Sequence, residues 1–253
     1  MEPPASEDRV GTTYGDDPSQ FGELLVPDGP AHGVVVVIHG GFWRAAYDLS
    51  LGSPLARDLT ERGWVTWNLE YRRVGTGAGG GGGVPQTLDD VAAGIDHLAA
   101  MAAEGRLPEG SLRRVVTVGH SAGGHLATWA AGRSAPAVPV THVVSQAGVL
   151  DLVAASRDGL GGGAVEAFVG HPLGPDDAGA DPAQQVPLEV PVWCVHAPDD
   201  DIVPISQSRG YVHRATSAGA TAELVEVTGG HFGVIEVGSP AWDRIRGVLD
   251  GLR

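Results

Sequence analysis

Short apolar runs and longer amphipathic stretches take turns along this chain. Residues 33–38 (GVVVVI) form a continuous β-branched run, the pattern of a strand buried on both faces. Further strands are predicted over 64–69, 113–118, 141–145, 191–196 and 222–227. Helical spacing falls between them, over 48–62, 87–104, 122–131, 204–217 and 240–252. In the second of these helices Leu88, Val91, Ile95 and Leu98 share one face, and Thr87 with Asp90 resembles a capping box. The last has Ser239 as N-cap and Pro240 at its first position. Leu24 and Leu25 are expected in an antiparallel leading strand. Strands alternating with helices give a mainly parallel sheet with helices on both faces. The expected class is α/β, with residues 1–253 as one domain.

Two segments break the alternation. Residues 75–83 (GTGAGGGGG) contain G-x-G-x-x-G between a strand and a helix. A dinucleotide site needs a tight turn directly into that helix and an acid after the next strand. Here the glycine run is long and Pro85 and Thr87 separate it from the helix, so a mobile surface loop is expected. Residues 150–187, rich in Gly, Ala, Asp and Pro, are too long for a bare loop. They are expected to form a small cap over the active site, with a short helix near 165–169.

Composition narrows the chemistry. A formal net charge of −15 argues against a nucleic-acid or anionic-membrane surface. All 16 cationic side chains are arginines, which excludes a P-loop lysine, a Schiff-base lysine and a Ser-Lys dyad. Cys194, the one cysteine, lies in an apolar run and reads as a buried small hydrophobe, without a disulfide or a cysteine-rich zinc site. No zinc-binding histidine spacing occurs, so neither metal nor cofactor is expected. The N-terminus, MEPPASEDRV, has no apolar leader, and no stretch approaches the ~20 apolar residues that cross a bilayer. A cytoplasmic protein is expected; its oligomeric state is left open.

The candidate chemistry centres on residues 115–125, where a β-branched run enters G-H-S-A-G and then a small-residue helix. That is the sequence form of a nucleophile elbow with Ser121 exposed at a strained turn. With 39 glycines in the chain the motif alone is weak, so its context decides. The strand ending at Ile38 runs into His39-Gly40-Gly41-Phe42-Trp43, where side-chain-free glycines bring backbone N–H donors to an oxyanion. The strand ending at His196 is followed by Asp199, Asp200 and Asp201, among which chemistry alone does not choose. The strand ending near Val227 is followed by Gly229, Gly230 and His231, a turn that swings the imidazole back over the sheet. His39, His120 and His196 are expected to hold loops by hydrogen bonds; His32, His97, His125, His142, His171 and His213 are expected on surfaces, loops or helix faces. Ser121, an aspartate near 200, then His231 is the chain order of α/β-hydrolases.

On these segments the chain resembles the α/β-hydrolase superfamily, nearest the arylformamidase (kynurenine formamidase) group and small bacterial esterases related to feruloyl esterases. HGGFW at 39–43, GHSAGGHLA at 119–127, DDIVPISQS at 200–208 and GGHFGVIE at 229–236 carry the likeness, with EYRRVG at 70–75 and TLDDV at 87–91. The resemblance implies Asp200 as the acid and the N–H groups of Gly41, Phe42 and Ala122 as the oxyanion hole. Trp43, Phe42, Tyr71 and Phe232 are candidates for an aromatic-friendly substrate pocket, with ordinary packing the competing role for each. The expected activity is hydrolysis of a small, aryl-bearing carboxylic ester or N-formyl aryl amide. An acyltransferase or cyclase on the same triad, or a non-catalytic binding member of the fold, is the alternative.

Overall fold

The computed structural model describes residues 11–252. The polar decapeptide at the N-terminus, and the end of the 1–253 span expected as one domain, lie outside the described residues. In chain order the elements are β1 (Gly11–Thr13), β2 (Phe21–Leu25), β3 (Val34–Ile38), α1 (Ser53–Glu61), β4 (Val65–Leu69), α2 (Gln86–Ala103), β5 (Val115–His120) and α3 (Ala122–Ala131). Then come β6 (His142–Gln146), α4 (Leu152–Arg157), α5 (Ala164–Val169), β7 (Val192–His196), α6 (Ser206–Ser217), β8 (Ala222–Glu226), α7 (Gly230–Gly233) and α8 (Pro240–Asp250).

The apolar runs pair into one sheet of order β1-β2-β4-β3-β5-β6-β7-β8. β1 and β2 are antiparallel, β2 meets β4 antiparallel, and every later pairing is parallel. Parallel strands buried on both faces explain why β3 is apolar throughout and why even the alternating Thr66 and Asn68 of β4 are fully buried. Along β3, Val34, Val36 and Ile38 face a core with the apolar sides of α2, α3 and α6, while Val35 and Val37 face one with α1 and α8. The register pairs Ile38 with Gly119, His120 with Gln146, and His196 with Glu226. The C-terminal ends of these strands therefore share one edge, where open α/β sheets place their ligands.

Local chemistry departs from the sequence expectations in two places. Thr87 and Asp90 form no capping box, because tertiary partners claim both side chains. Thr87 Oγ1 donates to Arg72 O at 2.6 Å, and Asp90 receives the Arg72 guanidinium on both oxygens at 2.6 and 2.8 Å. The 75–83 run is not a loose loop. Arg73 N donates to Gly79 O, and Gly82 N returns to Arg73 O, each at 2.8 Å. A Cβ on Gly82 would stand 2.2 Å from Arg72 O, so the run is glycine because it wraps its own backbone.

The 150–187 segment contains α4, α5 and two 3₁₀ turns. Leu150 N and Asp151 N donate to Gln207 Oε1 on α6 at 2.9 and 2.8 Å. Val84 N donates to Phe168 O on α5 at 2.8 Å. The Phe168 ring stacks on Trp43, with centroids 4.5 Å apart, and His125 Nε2 reaches Ala180 O at 2.7 Å. No helix among the described residues is long and apolar enough to cross a membrane.

Candidate active site

Ser121 joins β5 to α3 at φ 55° and ψ −118°, outside the helical and extended wells. A residue held in such backbone geometry costs about 1–3 kcal/mol, so its surroundings must over-determine it. Here Ser121 N donates to Gln146 O at 2.8 Å. The flanking glycines are steric necessities. A Cβ at Gly119 would lie 2.1 Å from Gly123 O, and one at Gly123 would lie 2.1 Å from Ile38 O. Only glycine lets the turn, the helix and β3 approach this closely. The residue is 2 % exposed, and its hydroxyl makes no hydrogen bond among the described residues.

The ends of β7 and β8 bring an acid and an imidazole together. Asp200 Oδ2 accepts from His231 Nδ1 at 2.7 Å. Its Oδ1 accepts from Ile202 N at 2.9 Å and Val203 N at 2.8 Å. Asp199 and Asp201 are exposed, so of the three aspartates Asp200 alone meets the histidine. Burial alone would raise the Asp200 carboxyl, but hydrogen bonds from His196, His231 and two backbone amides hold it well below the usual carboxylate range. The acid is thus a carboxylate that orients Nδ1–H of His231 and leaves Nε2 as the basic nitrogen. Left-handed Gly229 and Gly230, at φ 112° and 62°, make the turn that presents the ring. Behind it, His120 Nε2 donates to His231 O at 2.9 Å, and burial pushes the His120 imidazole down to about 3.

The loop after β3 carries three consecutive positive φ angles, at Gly41 (112°), Phe42 (53°) and Trp43 (55°). The amides of Gly41, Phe42 and Ala122 donate to no acceptor among the described residues. Unpaired amides at one sheet edge are a donor set for an anion. The loop rests on a buried polar hub. His39 Nε2 meets Glu70 Oε1 at 2.9 Å, and Glu70 also accepts from Arg73, from Tyr71 N at 2.8 Å and from Leu49 N at 3.0 Å. Burial opposes the Glu70 charge, but the bond from His39 and the guanidinium of Arg73 prevail and hold the carboxyl below its usual range.

Several expected roles change. Tyr71 lines no substrate pocket: it is fully buried, stacks on His39 at 4.5 Å and donates its hydroxyl to His39 O at 2.7 Å. Trp43 is likewise buried, between Phe168 and His125, because its large apolar surface fills the gap between the loop and the 150–187 segment. His125 does not lie on a surface; it accepts from Trp43 Nε1 at 3.3 Å through Nδ1 and donates to Ala180 O through Nε2. Phe232 is 59 % exposed, its ring 5.2 Å from that of His231. Against the loop after β3 stands Tyr47, at 45 % exposure, which the sequence pattern did not single out. Its ring is close enough that a Cβ on Gly41 would lie 2.5 Å from it. No cluster of His, Cys, Asp and Glu among the described residues is arranged to hold a metal ion.

The BD-FAE family model matches residues 26–214. No curated protein matches the chain. Among solved structures it is similar to a bifunctional GH43-CE protein of Bacteroides eggerthii, at 21% identity and TM-score 0.78, covering 100% of this chain and 36% of that one. The chain thus spans about a third of that protein. A truncated carbohydrate esterase from gut microbiota aligns over 98% of both chains at 19% identity and TM-score 0.79. The butyrate-bound thermophilic esterase of the planctomycete Thermogutta terrifontis aligns at 19% identity and TM-score 0.74, over 96% of this chain and 92% of that one. The chain has the α/β-hydrolase fold.

Proposed function

The chain belongs to the BD-FAE family, and from that premise we propose that it is a serine hydrolase that cleaves a small carboxylic ester through an acyl-enzyme. Ser121 Oγ attacks the ester carbonyl. His231 Nε2 takes the serine proton and then gives it to the leaving oxygen, while Asp200 keeps Nδ1 protonated and stabilises the imidazolium. The amides of Gly41, Phe42 and Ala122 bind the oxyanion, each donor of this kind being worth about 3–4 kcal/mol in the transition state. Water, activated by His231 in turn, releases the acid. The observation that carries this reading is the 2.7 Å Asp200–His231 contact, on the same sheet edge as a free serine hydroxyl and unpaired amides.

The substrate is small and carries an aromatic group. Phe232 and Tyr47 are exposed rings beside the imidazole and the oxyanion loop, and such a ring adds about 0.5–1.5 kcal/mol per stacked pair beyond area burial. The arylformamidase likeness points to N-formyl aryl amides, whereas the names of the similar structures favour esters; the ester reading is preferred. A fluorophosphonate should add one covalent mass at Ser121, and Ser121→Ala should abolish both labelling and phenyl acetate hydrolysis. Labelling at another serine refutes the nucleophile. A kcat/KM higher for an N-formyl aryl amine than for phenyl acetate refutes the preference for esters.

A further inference from the structure

A second imidazole touches the acid. His196, the last residue of β7, is fully buried, and its Nε2 lies 3.2 Å from Asp200 Oδ2 and 2.9 Å from Val203 O. Both neighbours are acceptors, so Nε2 must carry a proton and share it between them. In the neutral ring Nδ1 is then a lone pair. Ser208 Oγ, on α6 and buried, stands 2.7 Å from that nitrogen, so the serine hydroxyl donates. Behind Ser208 sits the buried thiol of Cys194, which desolvation pushes up to about 12, so it stays a neutral S–H group.

We propose that His196 and Ser208 form a positioning pair for the acid, with the Ser208 hydroxyl anchoring the far side of the ring so that its Nε2–H stays on Asp200. The proposal rests on Asp200 being the acid of a serine-hydrolase triad. Its physical content is directional. Two backbone amides hold Oδ1, but Oδ2 serves both imidazoles, so rotation about the carboxylate would weaken the bond to His231. The His196 N–H resists that rotation, and its ring excludes water from a carboxylate that is itself fully buried. Hydrogen bonds in such a chain polarise one another, each donor pointing toward the acid. Were Ser208 unable to donate, the Nδ1 lone pair would be buried without a partner and the ring would be free to tilt its Nε2–H away from Oδ2.

A purely structural His196, closing the acid turn through Val203 O, makes different predictions. Histidine-15N NMR of the resting protein should show His196 as the Nε2–H tautomer, with the Nδ1 signal moving to that of an unbonded lone pair in Ser208→Ala. On phenyl acetate, Ser208→Ala should lower kcat about three- to tenfold, the worth of a neutral hydrogen bond, with KM unchanged. His196→Phe should cost as much or more, and His196→Gln, which restores an N–H donor, should recover part of it. The double variant His196→Phe/Ser208→Ala should be no worse than His196→Phe, since the serine acts only through the ring. An unchanged Nδ1 signal and kcat in Ser208→Ala, or additive losses in the double variant, would overturn the proposal. The NMR readout needs no turnover, so failure of the triad assignment, detected by fluorophosphonate labelling away from Ser121, is separable from failure of the pair.

Discussion

Mild acid should loosen the protein through His125. The neutral ring satisfies both its neighbours, Nδ1 accepting from Trp43 and Nε2–H donating to Ala180 O. A second proton would land on Nδ1, facing an indole N–H that cannot accept it. Burial accordingly pushes this imidazole from its ordinary 6.5 down to about 4. The sign follows from proton counting. Between those two values the unfolded chain binds the proton and the native protein does not, so stability falls as pH falls. The contribution is intact above about pH 6.5 and is lost on the way to pH 4. At pH 4.5, with about 1.4 kcal/mol per pH unit, the loss is about 2–3 kcal/mol, or about 5–10 °C in Tm for a chain of this size. The assay is thermal unfolding of wild type and His125→Asn at pH 7.5 and 4.5. The variant should be the less stable at pH 7.5, having lost a buried partner, yet should lose about 2–3 kcal/mol less on acidification. His120, depressed by the same mechanism, acts in both proteins and cancels from the comparison. Equal acid sensitivity of the two proteins would refute this account of His125.

Asp200→Asn should lower kcat by about 10⁴, as amide replacement does when it spoils the imidazole tautomer, while Asp199→Asn and Asp201→Asn leave kcat within a few-fold; equal losses at all three would place the acid elsewhere. Gly123→Ala puts a methyl group 2.1 Å from Ile38 O, a backbone atom that cannot yield, so the variant should be inactive with a sharply lowered Tm. Recovery of that variant as a soluble, active protein would contradict the elbow geometry. Glu70→Gln leaves Arg73 buried beside a neutral amide, and urea unfolding should show a loss of about 3–5 kcal/mol.

The strands and the elbow were legible because their causes are local. A β-branched run without polar interruption can only be a doubly buried strand, and G-x-S-x-G leaves no alternative where Gly119 and Gly123 meet backbone at 2.1 Å. What sequence spacing could not convey was which polar groups tertiary neighbours would recruit. Thr87 and Asp90 have the form of a cap, yet Arg72 takes both. His125 sits four residues past Ser121 on a helix and carries no mark of the carbonyl at position 180 that it meets. Tyr71 and Trp43 looked like pocket aromatics because an apolar ring near a catalytic loop has the same sequence signature whether it faces ligand or core. The choice among Asp199, Asp200 and Asp201 needed the backbone, since only Asp200 turns inward to the amides of Ile202 and Val203.

The attachment of the 150–187 segment bears on kinetics. Phe168 is stacked on Trp43 and fully buried, and Ala180 is bonded to a buried imidazole. Swinging this segment away as a rigid flap would pull an aromatic ring out of a close-packed interior and strand a histidine without its acceptor. An enzyme built this way has no door for an oil–water interface to open. Its rate on a sparingly soluble ester should track dissolved monomer and saturate smoothly, with no jump at the concentration where the substrate begins to aggregate.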